Sequence, residues 1–189
     1  RRGNKWFSSP GESLTFSLLI KNDSPKLIQK LPLVCGISAI KGIKQLTNCS
    51  CTLKWPNDIM YQDSKLGGIL IEQRNQHFII GLGINVNDST FDSSIADQTC
   101  SLHTILGHPI QREPLLAFII NNLEQLLNLN LKEIITKWES YCSHMNTFIK
   151  FHNSNQMIDA KFIGLNENGE AKMELKGKSS TFSSGVIEL

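Results

Sequence analysis

The residue pattern predicts an α/β chain of the α+β type that ends in a small β-barrel, and three observations carry that prediction. Apolar residues recur at helical spacing over 25–46 and again over 112–128. Short β-type runs lie before and between these stretches. From Thr147 onward the period drops to two and no helical pattern returns. Periods of 3.6 and 2.0 mark one buried face of a helix and of a strand, respectively.

Taken in order, Leu14 to Ile20 reads as a strand. Pro25 to Leu46 reads as a helix whose apolar face is Leu27, Leu31, Val34, Ile37 and Ile40, although glycines at 36 and 42 lower its intrinsic propensity. Thr52 to Trp55, Gly68 to Gln73 and His77 to Leu82 are short strands, the last two joined by Arg74-Asn75-Gln76. Ser101 to Leu106 reads as a short helix ended by Gly107. Arg112 to Asn128 places Leu115, Ile119, Leu123, Leu126 and Leu127 on one face, and a last helix, Lys132 to Cys142, is expected to bury Ile135 and Trp138. Beyond it, Asn166-Glu167-Asn168-Gly169 has turn chemistry, and Ala171, Met173 and Leu175 alternate with Lys172, Glu174 and Lys176. The change of period divides the chain into residues 1–146 and 147–189.

Composition narrows the function classes. A chain of 189 residues with 40% hydrophobic and 19% charged content can bury one main core plus a small module. Its formal net charge of +2 is too small to imply nucleic-acid binding. Cysteines stand at 35, 49, 51, 100 and 142, and Cys49-Ser50-Cys51 has no second pair at zinc-ligand spacing. Reduced structural thiols are therefore expected, with no metal ligated by the chain itself. The histidines at 77, 103, 108, 144 and 152 have no partner spacing, so structural or surface roles are expected for them. No run approaches the ~18 apolar residues of a membrane span, and no signal-peptide pattern opens the chain, so a cytoplasmic protein without a membrane partner is expected. Because the chain opens on Arg1 rather than Met, an absent upstream portion is also expected.

Four short segments carry chemistry. Lys54-Trp55-Pro56-Asn57-Asp58 sets short polar side chains on a Pro turn between the apolar residues Trp55 and Ile59. Lys65-Leu66-Gly67-Gly68-Ile69-Leu70 puts a flexible cation beside two residues without a Cβ, where a ligand can approach main chain and positive charge together. Gly81-Leu82-Gly83-Ile84-Asn85-Val86-Asn87 ends a β-type run with glycines where a strand prefers side chains. Val86 occupies the place of the third glycine of the dinucleotide fingerprint and no helix opens there, which excludes a Rossmann reading. Finally, Arg1-Arg2-Gly3-Asn4-Lys5-Trp6 gathers three cations and an aromatic ring, as a flexible anion-binding loop would.

The order and content of these blocks resemble the biotin protein ligase (biotin-[acetyl-CoA-carboxylase] ligase) family from Arg1 essentially to Leu189. Its basic loop reads Gly-Arg-Gly-Arg-x-Gly, of which Arg1-Arg2-Gly3 keeps the last part; the Lys-Trp-Pro-Asn-Asp, Lys-x-Gly-Gly-Ile-Leu and Gly-x-Gly-Ile-Asn blocks follow in register. Asn4 departs from the pattern where a basic residue is common, and the family's biotin-contacting Ser/Thr segment and first loop arginine would lie upstream of Arg1. The resemblance implies a mixed sheet flanked by helices, like that of class II aminoacyl-tRNA synthetases, followed by an SH3-like barrel. It also implies activation of biotin with ATP to biotinyl-5′-AMP, with Mg²⁺, and transfer to a lysine of a biotin carboxyl carrier domain.

Site residues follow from the same resemblance. Arg1 and Lys65 would neutralise the reacting carboxylate and α-phosphate, and Arg1, Lys65, Gly68, Ile69, Leu70, Gly81 and Gly83 would hold biotin. Arg1, Arg2, Trp6, Lys54, Asn57 and Asn85 would hold ATP, with Trp6 flat against adenine. Asp58 would orient or deprotonate the acceptor lysine, or help to hold Mg²⁺, and acyl transfer is preferred. The resemblance is compatible with dimerisation through sheet edges. Two alternatives stand beside this reading: a lipoate or octanoate protein ligase of the same broad superfamily, and a biotin-responsive transcriptional regulator, which requires an upstream helix-turn-helix to bind DNA.

Overall fold

The computed structural model of the protein describes residues 10–24, 27–153 and 156–188. A five-stranded sheet, in the order β1-β5-β4-β3-β2, is built from β1 (Leu14–Lys21), β2 (Thr52–Lys54), β3 (Asp58–Tyr61), β4 (Ser64–Arg74) and β5 (His77–Ile84). Alternation sorts its residues: Phe16, Leu18 and Ile20 of β1 and Phe78, Ile80 and Leu82 of β5 face the core, while Thr15, Ser17, Gly81 and Gly83 take the other face. The β4–β5 connection is tight, with Asn75 at φ 52°.

Helix α1 (Leu27–Thr47) covers the core face and buries Leu31, Val34, Ile37 and Ile40. Its glycines are sites of close approach. A Cβ on Gly36 would come within 2.9 Å of Leu53 Cδ2, and one on Gly42 within 2.8 Å of Ile119 Cγ1, so their helix-propensity cost is offset by contact with the sheet and with α3. The short α2 (Leu102–Leu106) is capped by Ser101 and ended by Gly107 at φ 79°. The outer helices are α3 (Arg112–Leu127) and α4 (Leu131–Tyr141), the latter started by a reciprocal Asn130–Glu133 capping box. Lys30 of α1 donates its Nζ to the Leu127 and Leu129 carbonyls, which satisfies the open end of α3.

A second five-stranded sheet, ordered β10-β6-β7-β8-β9, follows: β6 (Phe148–Asn153), β7 (Gln156–Leu165), β8 (Ala171–Leu175), β9 (Lys178–Phe182) and β10 (Val186–Glu188). In β8, Ala171 and Met173 are buried while Lys172 and Glu174 are exposed, as the alternation predicts. His144 lies fully buried where α4 meets this sheet, its ring 4.4 Å from that of Phe162 and 6.4 Å from that of Trp138.

Several expectations change. All ladders of both sheets are antiparallel, and parallel character is confined to the isolated bridges Leu53–Cys142 and Lys65–Thr99, so the first sheet is not mixed among the described residues. The Asp58–Tyr61 strand was hidden in sequence because its first residue completes a turn-forming Pro-Asn-Asp run. In α4 it is Ile134, not Ile135, that is fully buried with Trp138, and Leu127 is only partly covered at the end of α3. The five cysteines are free thiols, of which Cys35, Cys49 and Cys51 are buried. Among the described residues no helix is long and apolar enough to cross a membrane.

Candidate active site

A cavity of about 440 Å³ opens on the face of the first sheet opposite α1. Its floor is the row in which Thr15 pairs with Gly83, Gly83 with Gly68 and Gly68 with Asp58, and the next row, Ser17, Gly81 and Leu70. Glycine at three of these positions leaves main chain bare to a ligand. The Cβ that Gly81 lacks would meet only Leu70, at 3.8 Å, so the site rather than the fold gains from its absence.

Lys65 reaches this floor because of an irregularity in the β3–β4 ladder. Ile59 pairs with Gly67 and Met60 with Lys65, so Leu66 is skipped, and Lys65 turns onto the face shared by Asp58 and Gly68. Its Nζ lies 2.5 Å from Asp58 Oδ1, with the two side chains 42% and 23% exposed, so the pair is hydrated enough to exchange partners with a ligand.

The Lys54–Asp58 turn forms a second wall. Asn57 donates Nδ2 to the Ile69 carbonyl at 2.6 Å while Ile69 donates its amide to the Asn57 carbonyl at 2.9 Å, which fastens the turn to β4. The Trp55–Pro56 peptide bond is cis, and Trp55 is buried with its ring 6.2 Å from that of Phe151. At its upstream end, Leu53 accepts a hydrogen bond from the Ser143 amide at 3.0 Å.

Lys54, Asn57, Asp58, Lys65, Gly68, Ile69, Leu70, Gly81 and Gly83 thus line one cavity although they come from three separate blocks of sequence. Asn85 stands apart. It is buried beyond the end of β5, where its Nδ2 donates to the Cys100 carbonyl at 3.0 Å, and it does not line the cavity. Nearby Asn87 exchanges two side-chain hydrogen bonds with the backbone of Ile110, and Ser13 Oγ donates to the buried Asp88 carboxylate at 2.8 Å. The Ser13–Asp88 bond ties the loop after β5 to the start of β1, and the Asn87 bonds tie it to the segment before α3. Arg1, Arg2 and Trp6, expected at the phosphates and the adenine, lie outside the described residues.

Sequence reasoning missed two contributors. Thr15 and Ser17 sit on an ordinary alternating strand, where nothing marks the outward face as a site. Ser183-Ser184-Gly185, between β9 and β10, forms a third wall with Val186 and Ile187. Its only signal was a hydroxyl-rich turn, far in sequence from the other blocks.

Electrostatics around the site are set mostly by burial. Burial, with Lys54 adding positive charge, holds His144 down to about 4, so the imidazole is neutral at ordinary pH. Cys100, whose amide donates to the Lys65 carbonyl at 3.0 Å, is pushed up to about 11 by burial and stays a thiol. The described residues contain no group of three or more His, Cys, Asp or Glu side chains that could hold a metal ion. Asp58 is the single carboxylate on the described cavity wall. That donor set fits Mg²⁺ only as an ion carried in on phosphates and taking one protein oxygen, which is how Mg²⁺ commonly binds.

Comparison with known proteins places this arrangement. Residues 1–85 match the model of the biotin/lipoate A/B protein ligase family. The bifunctional ligase/repressor BirA of Bacillus subtilis is 29% identical over 203 residues, covering 100% of this chain and 62% of its own length. The corresponding Escherichia coli protein is 29% identical over 199 residues, again with 100% and 62% covered. The chain therefore spans 62% of the length of these curated relatives. A solved biotin protein ligase from Aquifex aeolicus in complex with biotin and ATP superposes with a TM-score of 0.89 at 30% identity, covering 100% of this chain and 82% of that one. With that fold and identity over the whole of this chain and 82% of a solved relative, and with its glycine floor and lysine–carboxylate pair drawn from the family's blocks, the chain belongs to the biotin protein ligase family.

Proposed function

We propose that the protein activates biotin with ATP to biotinyl-5′-AMP and transfers the biotinyl group to a specific lysine of a biotin carboxyl carrier domain. The observation that carries this reading is the Lys65–Asp58 pair at 2.5 Å above the bare main chain of Gly68, in one cavity with Gly81, Gly83 and Leu70. A flat ureido ring and an apolar tail suit such a slot, where polar main chain lies beside aliphatic surface.

Adenylation brings a carboxylate against an α-phosphate, both negative. An ammonium placed between them neutralises the charge that concentrates as the new bond forms, and Lys65 is the group in reach. By resemblance Arg1 shares this task. Biotin and ATP are the substrates, and Mg²⁺ on the phosphates would supply further neutralisation. In this reading Lys54 and Asn57 belong to the nucleotide side, while Ile69 and Leu70 serve the biotin side.

In the second half-reaction the acceptor amine attacks the biotinyl carbonyl, the amide C–N bond forms, and the bond to AMP breaks with AMP taking the electron pair. The amine must lose a proton. Asp58, held by Lys65 on the cavity wall, is positioned to orient the amine and accept that proton. Walls on three sides limit water around the mixed anhydride. The second sheet is read as the SH3-like module, with the chain divided at residues 1–146 and 147–189.

Biotin-dependent ATP–pyrophosphate exchange on the full gene product, with lipoate and octanoate as competitors, tests the reading. Exchange that depends on biotin, followed by labelling of a carrier-domain lysine, supports it. Exchange that depends on lipoate or octanoate instead, or none with any of the three acids, overturns it.

A further inference from the structure

Resting on the ligase reading above, we propose that Lys54 and the Ser183-Ser184-Gly185 loop form the subsite that holds the β- and γ-phosphates of ATP and releases them as pyrophosphate. The two wall materials of the cavity differ in kind. Gly68, Leu70, Gly81 and Gly83 offer bare main chain and an aliphatic side chain, which suit the vitamin. The wall contributed by the β9–β10 loop offers two hydroxyls and a glycine beside a cation, which suit a polyanion.

Of the two lysines on the described wall, Lys65 is paired with Asp58, whereas Lys54 forms no ion pair among the described residues. Its charge is felt instead by groups of the second sheet and its junction: it adds to the lowering of Glu188 and of His144. Glu188 itself is engaged by His152 Nε2 at 3.0 Å. Lys54 therefore stands beside the β10 end of the loop as an uncommitted cation facing the cavity.

The loop is also held in place. Gly185 is buried against the Phe151 ring, where a Cβ would overlap ring carbons and stand 3.1 Å from the His152 carbonyl oxygen. Phe151 packs in turn on Phe182 at 4.7 Å and on Trp55 at 6.2 Å between ring centroids. Since Trp55 follows Lys54, one aromatic stack fixes the cation and the hydroxyls relative to each other, so the donors are arranged before the nucleotide arrives.

In the adenylation step a biotin carboxylate oxygen bonds to the α-phosphorus and the bond from that phosphorus to the bridging oxygen of the β-phosphate breaks. Pyrophosphate leaves with the electron pair. Donors waiting at the departing group stabilise the charge it gains without contacting biotin.

The test uses the full-length protein and three measurements. In the variant Ser183→Ala/Ser184→Ala the KM for ATP in the exchange reaction should rise about tenfold, with the KM for biotin within about twofold of wild type. Transfer from synthetic biotinyl-5′-AMP should run at the wild-type rate, because no polyphosphate takes part in it. The Ser183→Thr/Ser184→Thr variant, which keeps both hydroxyls, should restore the ATP KM. An unchanged ATP KM in the alanine variant overturns the proposal, as does an equal rise in the biotin KM or slowed transfer from the adenylate, since either outcome describes a damaged wall and not a phosphate site. Calorimetric binding of inorganic pyrophosphate separates this proposal from the ligase reading: binding by wild type that is weakened in the alanine variant supports the subsite even where exchange depends on none of the three acids. Equal binding by both proteins overturns it.

Discussion

Asn85 donates its side-chain amide to the Cys100 carbonyl at 3.0 Å, and the Cys100 amide donates to the Lys65 carbonyl at the same distance, so a buried asparagine outside the cavity holds the strand that presents the lysine. Asn85→Ala leaves the partly buried Cys100 carbonyl without this partner, which costs about 1–3 kcal/mol. Urea denaturation should show that loss. The KM values for biotin and ATP should rise together, whereas a nucleotide contact through Asn85 would raise that for ATP alone.

In the proposed reaction Lys65→Ala would take away the ammonium set between the carboxylate and the phosphate. Biotin-dependent exchange should fall roughly 10²–10³-fold, the scale on which a single stabilising group acts in a transition state. Because Lys65 and Asp58 are 42% and 23% exposed, the denaturation midpoint should move little. Near-normal exchange would assign Lys65 to a solvated surface.

The adjacent glycines make different demands on fold and on site. In Gly67→Ala the new Cβ would lie 2.6 Å from the Gly83 carbonyl oxygen, which is main chain and cannot swing aside. A loss of about 1–3 kcal/mol in stability is expected from such overpacking. Gly81→Ala meets only Leu70 at 3.8 Å, so the protein should melt normally while its affinity for biotin drops. Thermal melts set beside biotin titrations separate the two effects.

His144 gives stability a pH dependence of known sign. Its folded value of about 4 lies below the unfolded value of 6.5, so unfolding takes up a proton between those limits. Stability should therefore decline as pH falls from 6.5 towards 4, by roughly 3 kcal/mol from this group, and this contribution should level off below that. In His144→Gln the urea midpoint should lose this part of its slope. An unchanged slope would place the titrating group elsewhere.

How much of this was legible in sequence depends on how local each signal is. Helices α1, α3 and α4 were readable because Leu31, Val34, Ile37 and Ile40, or Leu115, Ile119 and Leu123, repeat within a few residues. Lys65, Asp58 and the glycines at 68, 81 and 83 were readable because each block carries its chemistry within a handful of positions. The antiparallel order of the first sheet was not, since pairing is fixed by contacts between strands and not by the period within one. Nor was the skip at Leu66 that turns Lys65 towards Asp58, which depends on how two strands meet. Nor was the bond from Asn85 to the Cys100 carbonyl, because an amide at a strand end reads alike whether it faces a nucleotide or a neighbouring carbonyl. Ser183 and Ser184 showed no more than a hydroxyl-rich turn, because only tertiary packing through Phe151 and Trp55 brings their loop to the cavity.

The floor made by Gly68, Gly81 and Gly83 leaves an engineer little to trim. Enlarging the chamber for a bulkier analogue cannot proceed by shortening residues that are already minimal, so redesign has to work from the rim, at Leu70 and Val186, which are 38% and 47% exposed. Narrowing it is simple by contrast, since one added methyl at Gly81 reaches the floor itself. Drift at these positions can therefore only shrink the range of acids admitted.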